Sequence, residues 1–279
     1  GPLHRCSFYG NEEVGEKLNA MLEMGASKPW PDALEAFTGT REMSGEALVD
    51  IGPACDERVM PASTFKLAIS LMGFDAGILK SPDEPRLAFK QGYVDWRPEW
   101  RQATTPATWM RDSVVWYSQR MMEKLGRERV KHDLAAFDYG NQNIAGVAEE
   151  GDGLTTAWLG NSLQISPREQ AAFMRRIAGR ELPVSEHAYE ATATLASYGV
   201  KGDGWQVYGK TGAGLPRGAD GKPLRGRPYG WFVGWAKKGE RTVAFAKLIQ
   251  DSQRQSVAPG FRARDALFEE LFARGGPLE

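Results

Sequence analysis

The sequence predicts an α+β fold, with antiparallel strands toward the carboxyl end and a mostly helical insertion in the middle. Two observations carry this expectation. The middle of the 279-residue chain is a series of helical segments with recognisable start signals. After residue 204 the pattern changes to alternating bulky and small residues, then to two apolar runs around a turn. Helices in the middle and strands toward the carboxyl end are segregated, as an α+β architecture requires.

The elements follow in order. Residues 11–25 have helical character and lead into a proline- and glycine-rich stretch. Residues 10–60 show no clear alternation, so no strand is assigned within them. Pro61 precedes STFKLAISLMGFDAG (63–77), where Phe65, Leu67, Ile69, Leu71, Met72 and Phe74 leave almost no polar face. That predicts a buried helix with Ser63 near its amino end. Residues 80–108, rich in proline and tryptophan, read as an ordered connection. DSVVWYSQRMMEKLG (112–126) predicts a helix starting near Asp112 or Ser113, and RERVKHDLAAFD (127–138) a second that runs into YGN. Ser166-Pro167-Arg168-Glu169 is a capping box with proline at the first helical position. The helix it opens continues through AAFMRRIAG, and SEHAYEATATLASYG is a further helical candidate. YGWFVGWAKKGERTVAFAKLIQ (229–250) predicts a hairpin around KKGE, and FRARDALFEELFARGG a closing amphipathic helix. The chain thus reads as a single domain, 1–279, with a helical subdomain at roughly 80–190 inserted into the sheet part.

Composition narrows the function. A 42% hydrophobic content with nine tryptophans supports a substantial core. A formal net charge of −1 supplies no global field toward nucleic acid or an anionic membrane. No apolar run approaches the ~20 residues needed to span a bilayer. The three histidines, His4, His132 and His187, lack metal-ligand spacing. Cys6 and Cys55 are expected to be buried thiols, the alternative being a disulfide that ties the amino-terminal segment near Ser63.

One stretch, GWQVYGKTGAG (204–214), fits two incompatible motifs. Gly204, Gly209, Lys210 and Thr211 spell the phosphate-cradling P-loop, G-x-x-x-x-G-K-T. Lys210-Thr211-Gly212 also spells K-T-G, a motif of serine enzymes that open β-lactam rings. A P-loop must be a flexible loop that feeds a helix. Here Trp205-Gln206-Val207-Tyr208 prefers a strand, and the GAGLPRG that follows Thr211 starts a helix poorly. The rest of the chain favours K-T-G. Ser63-Thr64-Phe65-Lys66 is S-x-x-K, and residues three apart share a helix face. Lys66 can therefore act as base on the Ser63 hydroxyl, provided its apolar neighbours keep the amine neutral. Ser113-Val114-Val115 gives S-x-V, and Tyr139-Gly140-Asn141 gives Y-G-N. Taken singly these are a helix start with a snorkelling lysine, a helix cap and a turn.

Together, in this order, they make the sequence resemble the class D, or oxacillinase-type, serine β-lactamases. The likeness runs from about Pro61 to the carboxyl end, through PASTFK, YGN, WLGNSLQISPREQ and GKTG. It implies an antiparallel β-sheet flanked by helices plus an all-helical subdomain, with the site between the two, and the following roles. Ser63 is the nucleophile. Lys66 is the general base, N-carboxylated by carbon dioxide or bicarbonate, with no other cofactor and no metal. Trp158 steadies the carbamate through its indole N–H. Ser113 passes a proton to the leaving nitrogen, and Lys210 supports that path. Thr211 and the Arg262 guanidinium hold the substrate carboxylate, with Arg264 the second choice for the clamp. The amides of Ser63 and Ala213 form the oxyanion hole. Val115 and Phe65 keep the site dry, while Tyr139 and Asn141 are expected to be structural. Small-molecule β-lactams are the expected partners, in a monomer or homodimer. The expected location is periplasmic or secreted, the opening GPLHRC reading as a scar ahead of a mature chain. The family usually shows two strands before the serine helix, which residues 10–60 do not reveal.

Rival readings share some of these motifs. A β-lactam sensor domain of a membrane receptor carries S-x-x-K and K-T-G, but acylates without turnover. A penicillin-binding transpeptidase typically has S-x-N where this chain has Val115. A class A β-lactamase would show S-D-N and a glutamate base. A Ser-His-Asp hydrolase would need G-x-S-x-G and a histidine in a catalytic context.

Overall fold

The computed structural model describes residues 53–146, 153–160, 162–218, 222–274, 276 and 278. The helical reading at 11–25, strand placement within 10–52 and the pairing of Cys6 lie outside them; within 53–60 Val59 makes an isolated antiparallel bridge to Ile165, and Cys55 is buried. Among the described residues, eight helices and four strands form α1 (Lys66–Asp75), α2 (Pro106–Asp112), α3 (Val115–Leu125), α4 (Arg127–Ala136), α5 (Gly153–Gly160), α6 (Pro167–Gly179), α7 (Glu186–Ala196), β1 (Ser197–Lys201), β2 (Trp205–Gly214), β3 (Tyr229–Lys238), β4 (Arg241–Gln250) and α8 (Pro259–Phe272). The strands form an antiparallel meander, β1-β2-β3-β4.

Strand β3 is buried along YGWFVGWA because both of its faces are covered. Tyr229, Trp231, Val233 and Trp235 point into a large core shared with helices α1–α7. The alternate residues Phe232 and Ala236 join Trp205, Val207 and Phe245 under Ala263, Leu267 and Phe272 of α8. The period of two thus assigns each residue to one side of the sheet. Helix α1 lies inside the larger core. Its apolar surface runs all round, and even Lys66 and Ser70 are fully buried.

Most expected elements form, with shifted edges. The 166–169 capping box opens α6: the Ser166 hydroxyl accepts from the Glu169 amide at 3.2 Å, and the Glu169 carboxylate accepts from the Ser166 amide at 2.8 Å. The hairpin 229–250 is β3–β4, turning after Lys238. Three expectations are corrected. The helix placed at 112–126 starts at Val115, and Ser113 ends a separate helix, α2, in a left-handed conformation (φ 59°). Ser197-Tyr198-Gly199, read as helical, begins β1, where Ser197 faces Tyr208 and Gly199 faces Val207. The 80–108 connection contains the start of α2, capped by Thr105 with Pro106 at its first position. Finally, all ten residues Trp205–Gly214 are strand, which excludes the P-loop.

Candidate active site

Ser63 lies in a 3-10 turn, Ala62–Phe65, that runs directly into α1. Ala62 holds φ at 50°, a left-handed conformation rare for a residue with a side chain, and costs about 1–2 kcal/mol. The turn is held from several sides. The Thr64 amide and hydroxyl both donate to the Pro61 carbonyl, at 3.1 and 2.7 Å. Gln170 of α6 donates to the Thr64 hydroxyl at 2.9 Å. Tyr229 and Trp231 of β3 both donate to the Met60 carbonyl, at 3.2 and 3.1 Å. The strained backbone is therefore fixed by its surroundings.

One turn on, Lys66 donates from Nζ to Ser63 Oγ at 3.2 Å. Ser63 is half-buried and Lys66 fully buried. Burial, and secondarily the charge of Lys210, push the Lys66 amine well below the ordinary lysine range. Desolvating an ammonium costs on the order of several kcal/mol, so the amine discards its proton instead. This shift runs in the direction expected from the apolar sequence around Lys66.

Strand β2 brings Lys210 to this group. Its Nζ donates to the Thr211 carbonyl at 3.1 Å and the Thr211 hydroxyl at 3.3 Å. Burial, followed by the charge of Arg97, lowers its pKa to about 7. The next strand residue on that face must be glycine for this approach. A Cβ at Gly212 would lie 3.0 Å from the Pro61 carbonyl oxygen and 3.1 Å from Thr64 Cγ2. Its cross-strand neighbour is Trp231, whose indole holds Met60, so β2 and β3 bear jointly on the serine turn.

The other predicted residues are distributed as follows. Ser113 is half-buried at the α2–α3 junction, and Val115 is buried as the first residue of α3. The Trp158 ring packs on Phe65 with centroids 5.6 Å apart, and its buried indole N–H has no hydrogen-bond partner among the described residues. Ala213 is exposed on β2. Arg262 pairs through Nη2 with Asp251, and its Nε donates to the Val257 carbonyl at 3.3 Å. These bonds engage two of its five N–H donors, so its Nη1–Nη2 edge keeps donors for a carboxylate. Arg264 is held by Asp265 and lies over the Phe261 ring, 5.1 Å from its centroid.

Y-G-N is a fastener. The Asn141 side chain donates to the Ser162 carbonyl at 2.8 Å and accepts from the Gln164 amide at 2.9 Å. Gly140 has φ 55°, and a Cβ there would lie 2.1 Å from the Gln164 carbonyl oxygen. This joint sits beside the end of α5, which carries Trp158. Sequence reasoning missed Arg97, whose charge bears on Lys210, and the Gln170, Tyr229 and Trp231 contacts that hold the serine turn. The signal for Arg97 was a cation between two tryptophans in DWRPEW.

The family model described as penicillin binding protein transpeptidase domain matches residues 36–273. β-Lactamase OXA-9 of Klebsiella pneumoniae is 43% identical over 234 residues, covering 82% of this chain and 84% of that protein. The chain belongs to the class D β-lactamases. Members of this class are serine hydrolases of the β-lactam amide bond, which makes this protein an enzyme. β-Lactamase OXA-1 of Escherichia coli is 40% identical over 70% of this chain and 68% of its own. The crystal structure of the class D β-lactamase OXA-427 superposes with a TM-score of 0.76 at 42% identity, covering 80% of this chain and 92% of that one. The regulatory protein BlaR1 of Bacillus licheniformis is less similar, at 27% over 78% of this chain and 33% of its own length. A model described as angiotensin-converting enzyme matches only residues 1–51, which hold a single histidine and no H-E-x-x-H.

Proposed function

We propose that this class D β-lactamase hydrolyses β-lactams through an acyl-enzyme on Ser63, with N-carboxylated Lys66 as general base. The observation that carries the reading is the fully buried Lys66 amine, held neutral and 3.2 Å from Ser63 Oγ. The surroundings fit a carbamate on Nζ. Carbon dioxide adds only to a neutral amine, and the buried indole N–H of Trp158 has no acceptor among the described residues. When attached, the carboxylate would supply an anionic proton acceptor in place of the amine.

The chain's own residues do the rest. Ser63 Oγ gives its proton toward Lys66 and bonds to the lactam carbonyl carbon. The Ser63 and Ala213 amides receive the developing oxyanion. The C–N bond then breaks, and the nitrogen takes a proton through Ser113, supported by Lys210. Water, deprotonated toward the same base, attacks the ester and releases Ser63 with the opened acid. Thr211, Lys210 and Arg262 hold the substrate carboxylate, and Val115 and Phe65 exclude bulk water. The helical segment at roughly 80–190 supplies the wall that carries Ser113. A location outside the cytoplasm, where β-lactams act on cell-wall enzymes, follows from this role.

Intact-mass spectrometry tests the nucleophile. Quenching a benzylpenicillin reaction in acid should trap one penicilloyl group, mapped by peptide digestion to Ser63, and Ser63→Ala should trap none. An adduct elsewhere, or hydrolysis by Ser63→Ala, contradicts the assignment.

A further inference from the structure

Helix α8 begins at Pro259, and its first turn lies directly on the end of β2 and β3. A Cβ at Gly260 would lie 2.5 Å from the Gly212 carbonyl oxygen and 3.3 Å from Thr211 Cβ. A Cβ at Gly230 would overlap the Pro259 carbonyl, and Gly230 faces Ala213 across the β2–β3 ladder. Glycine at 212, 230 and 260 thus lets backbone approach backbone. Arg262 is two residues beyond Gly260 and shares a helix face with Pro259. Its backbone is therefore within one helical turn of the Thr211–Ala213 segment.

The guanidinium is gripped along one side. Nε donates to the Val257 carbonyl at 3.3 Å, and Nη2 pairs with Asp251 Oδ1. Nη2 is the terminal nitrogen on the same side as the Nε hydrogen, so both partners lie along one edge of the planar fork. The Nη1–Nη2 edge is left for another acceptor, on a side chain that is half-buried. Asp251 is itself fixed. It directly follows β4, its amide donates to the Pro228 carbonyl at 2.8 Å, and its side chain is 7% exposed. Its Oδ2 is buried with no hydrogen-bond partner among the described residues. A buried carboxylate satisfied on one oxygen only is a poor stabiliser of a fold, which points to a role exercised through Arg262.

This inference rests on the proposed function above, in which Arg262 receives the substrate carboxylate. We propose that Asp251 is a positioning residue for that reaction: it fixes one edge of the Arg262 guanidinium so that the other edge is presented to the substrate carboxylate beside Thr211. A long arginine side chain left free loses rotamer freedom when it binds, and one already held does not. Asp251 thus acts on substrate binding through Arg262, without touching the reacting atoms.

The test is a double-mutant cycle in steady-state kinetics: wild type, Asp251→Ala, Arg262→Ala and the double variant, with benzylpenicillin and with its methyl ester, which lacks the carboxylate. Asp251→Ala should raise KM for benzylpenicillin about two- to tenfold with kcat nearly kept. Asp251→Asn, which keeps an acceptor for Nη2, should recover part of the loss. In the Arg262→Ala background the same substitution should change KM less than twofold, and kcat/KM for the methyl ester should change less than twofold in every variant. If Asp251→Ala does not fold, Asp251→Leu fills the carboxylate's place and takes its position in the cycle. A KM rise below twofold, or one that persists without Arg262 or appears equally with the ester, overturns the proposal. An Arg262→Ala variant with unchanged KM overturns the clamp itself. Wild-type protein that hydrolyses neither substrate overturns the underlying function, and this proposal with it.

Discussion

The Lys66 amine donates to the Ser63 hydroxyl at 3.2 Å from one turn further along the chain, and it does so from a fully buried position. A solvated lysine at that distance would be a cation unable to accept a proton. Burial favours the neutral amine, the form that can accept a proton or add carbon dioxide. The first prediction concerns pH. Acidification protonates the amine and releases carbon dioxide, so turnover of a reporter cephalosporin should fall on the acid side and recover with added bicarbonate. Initial rates across pH, with and without bicarbonate, check this. A bicarbonate-independent acid limb, with no carbon-13 carbamate signal from labelled bicarbonate, would count against it.

Stability should follow the same lysines. Both have folded-state pKa values below that of an unfolded lysine, about 10.4. Between about 7 and 10.4 the unfolded chain keeps a proton on Lys210 that the folded chain has lost. Unfolding therefore takes up a proton, and stability from this source rises with pH across that window. Urea unfolding of the wild type at pH 7 and 9, compared with Lys210→Met, should show an upward slope that the variant lacks in part.

Trp158→Phe separates packing from chemistry. It keeps a ring against Phe65 while deleting a buried donor that has no partner among the described residues. At low bicarbonate the variant should unfold no more easily than wild type, with a gain on the order of 1 kcal/mol from removing the unsatisfied N–H. Its turnover should nevertheless drop, and half-maximal activity should need more bicarbonate. Paired urea melts and bicarbonate titrations measure both effects.

Arg262 and Arg264 should differ in kinetics. If Arg262 binds the substrate carboxylate from ground state through transition state, Arg262→Ala raises KM for benzylpenicillin about tenfold or more with kcat nearly kept. Arg264→Ala should change either constant less than twofold, since its guanidinium is held by Asp265 and Phe261. Steady-state kinetics of the two variants decide which arginine is used.

Gly140→Ala tests the Y-G-N joint. The new methyl would meet the Gln164 carbonyl oxygen at 2.1 Å, at a φ of 55° that alanine disfavours. Stability should fall by more than about 1 kcal/mol, measured by urea unfolding, with Asn141's hold on the 162–164 segment lost.

The catalytic motifs were legible because each is local. Ser63 and Lys66 are one helical turn apart, and the GKT of β2 lies in a run that strand preference alone keeps from being a loop. What escaped reading depends on contacts distant in sequence. Ser113 was placed at a helix start because DSVV resembles one. In the folded chain the backbone turns left-handed there, between α2 and α3, and helix propensity does not register such a break. Ser197–Gly199 continues a helical pattern until it meets Trp205–Tyr208, and that pairing makes it a strand. Arg97 was passed over because a lone cation between two tryptophans is a weak signal, and the hydrogen bonds that anchor Trp100 to Asp112 and Trp116 are not read from local pattern. The Arg262 motif was legible, but its engagement with Asp251 was not.

The most direct test of the central claim follows a chromogenic cephalosporin past one enzyme equivalent, with and without bicarbonate, in wild type and Lys66→Ala. The account predicts sustained turnover by the wild type, maintained or raised by bicarbonate, and stalled turnover in the variant, which keeps Ser63 but lacks the base. A wild-type burst that stops at one equivalent, or normal hydrolysis by Lys66→Ala, would contradict it.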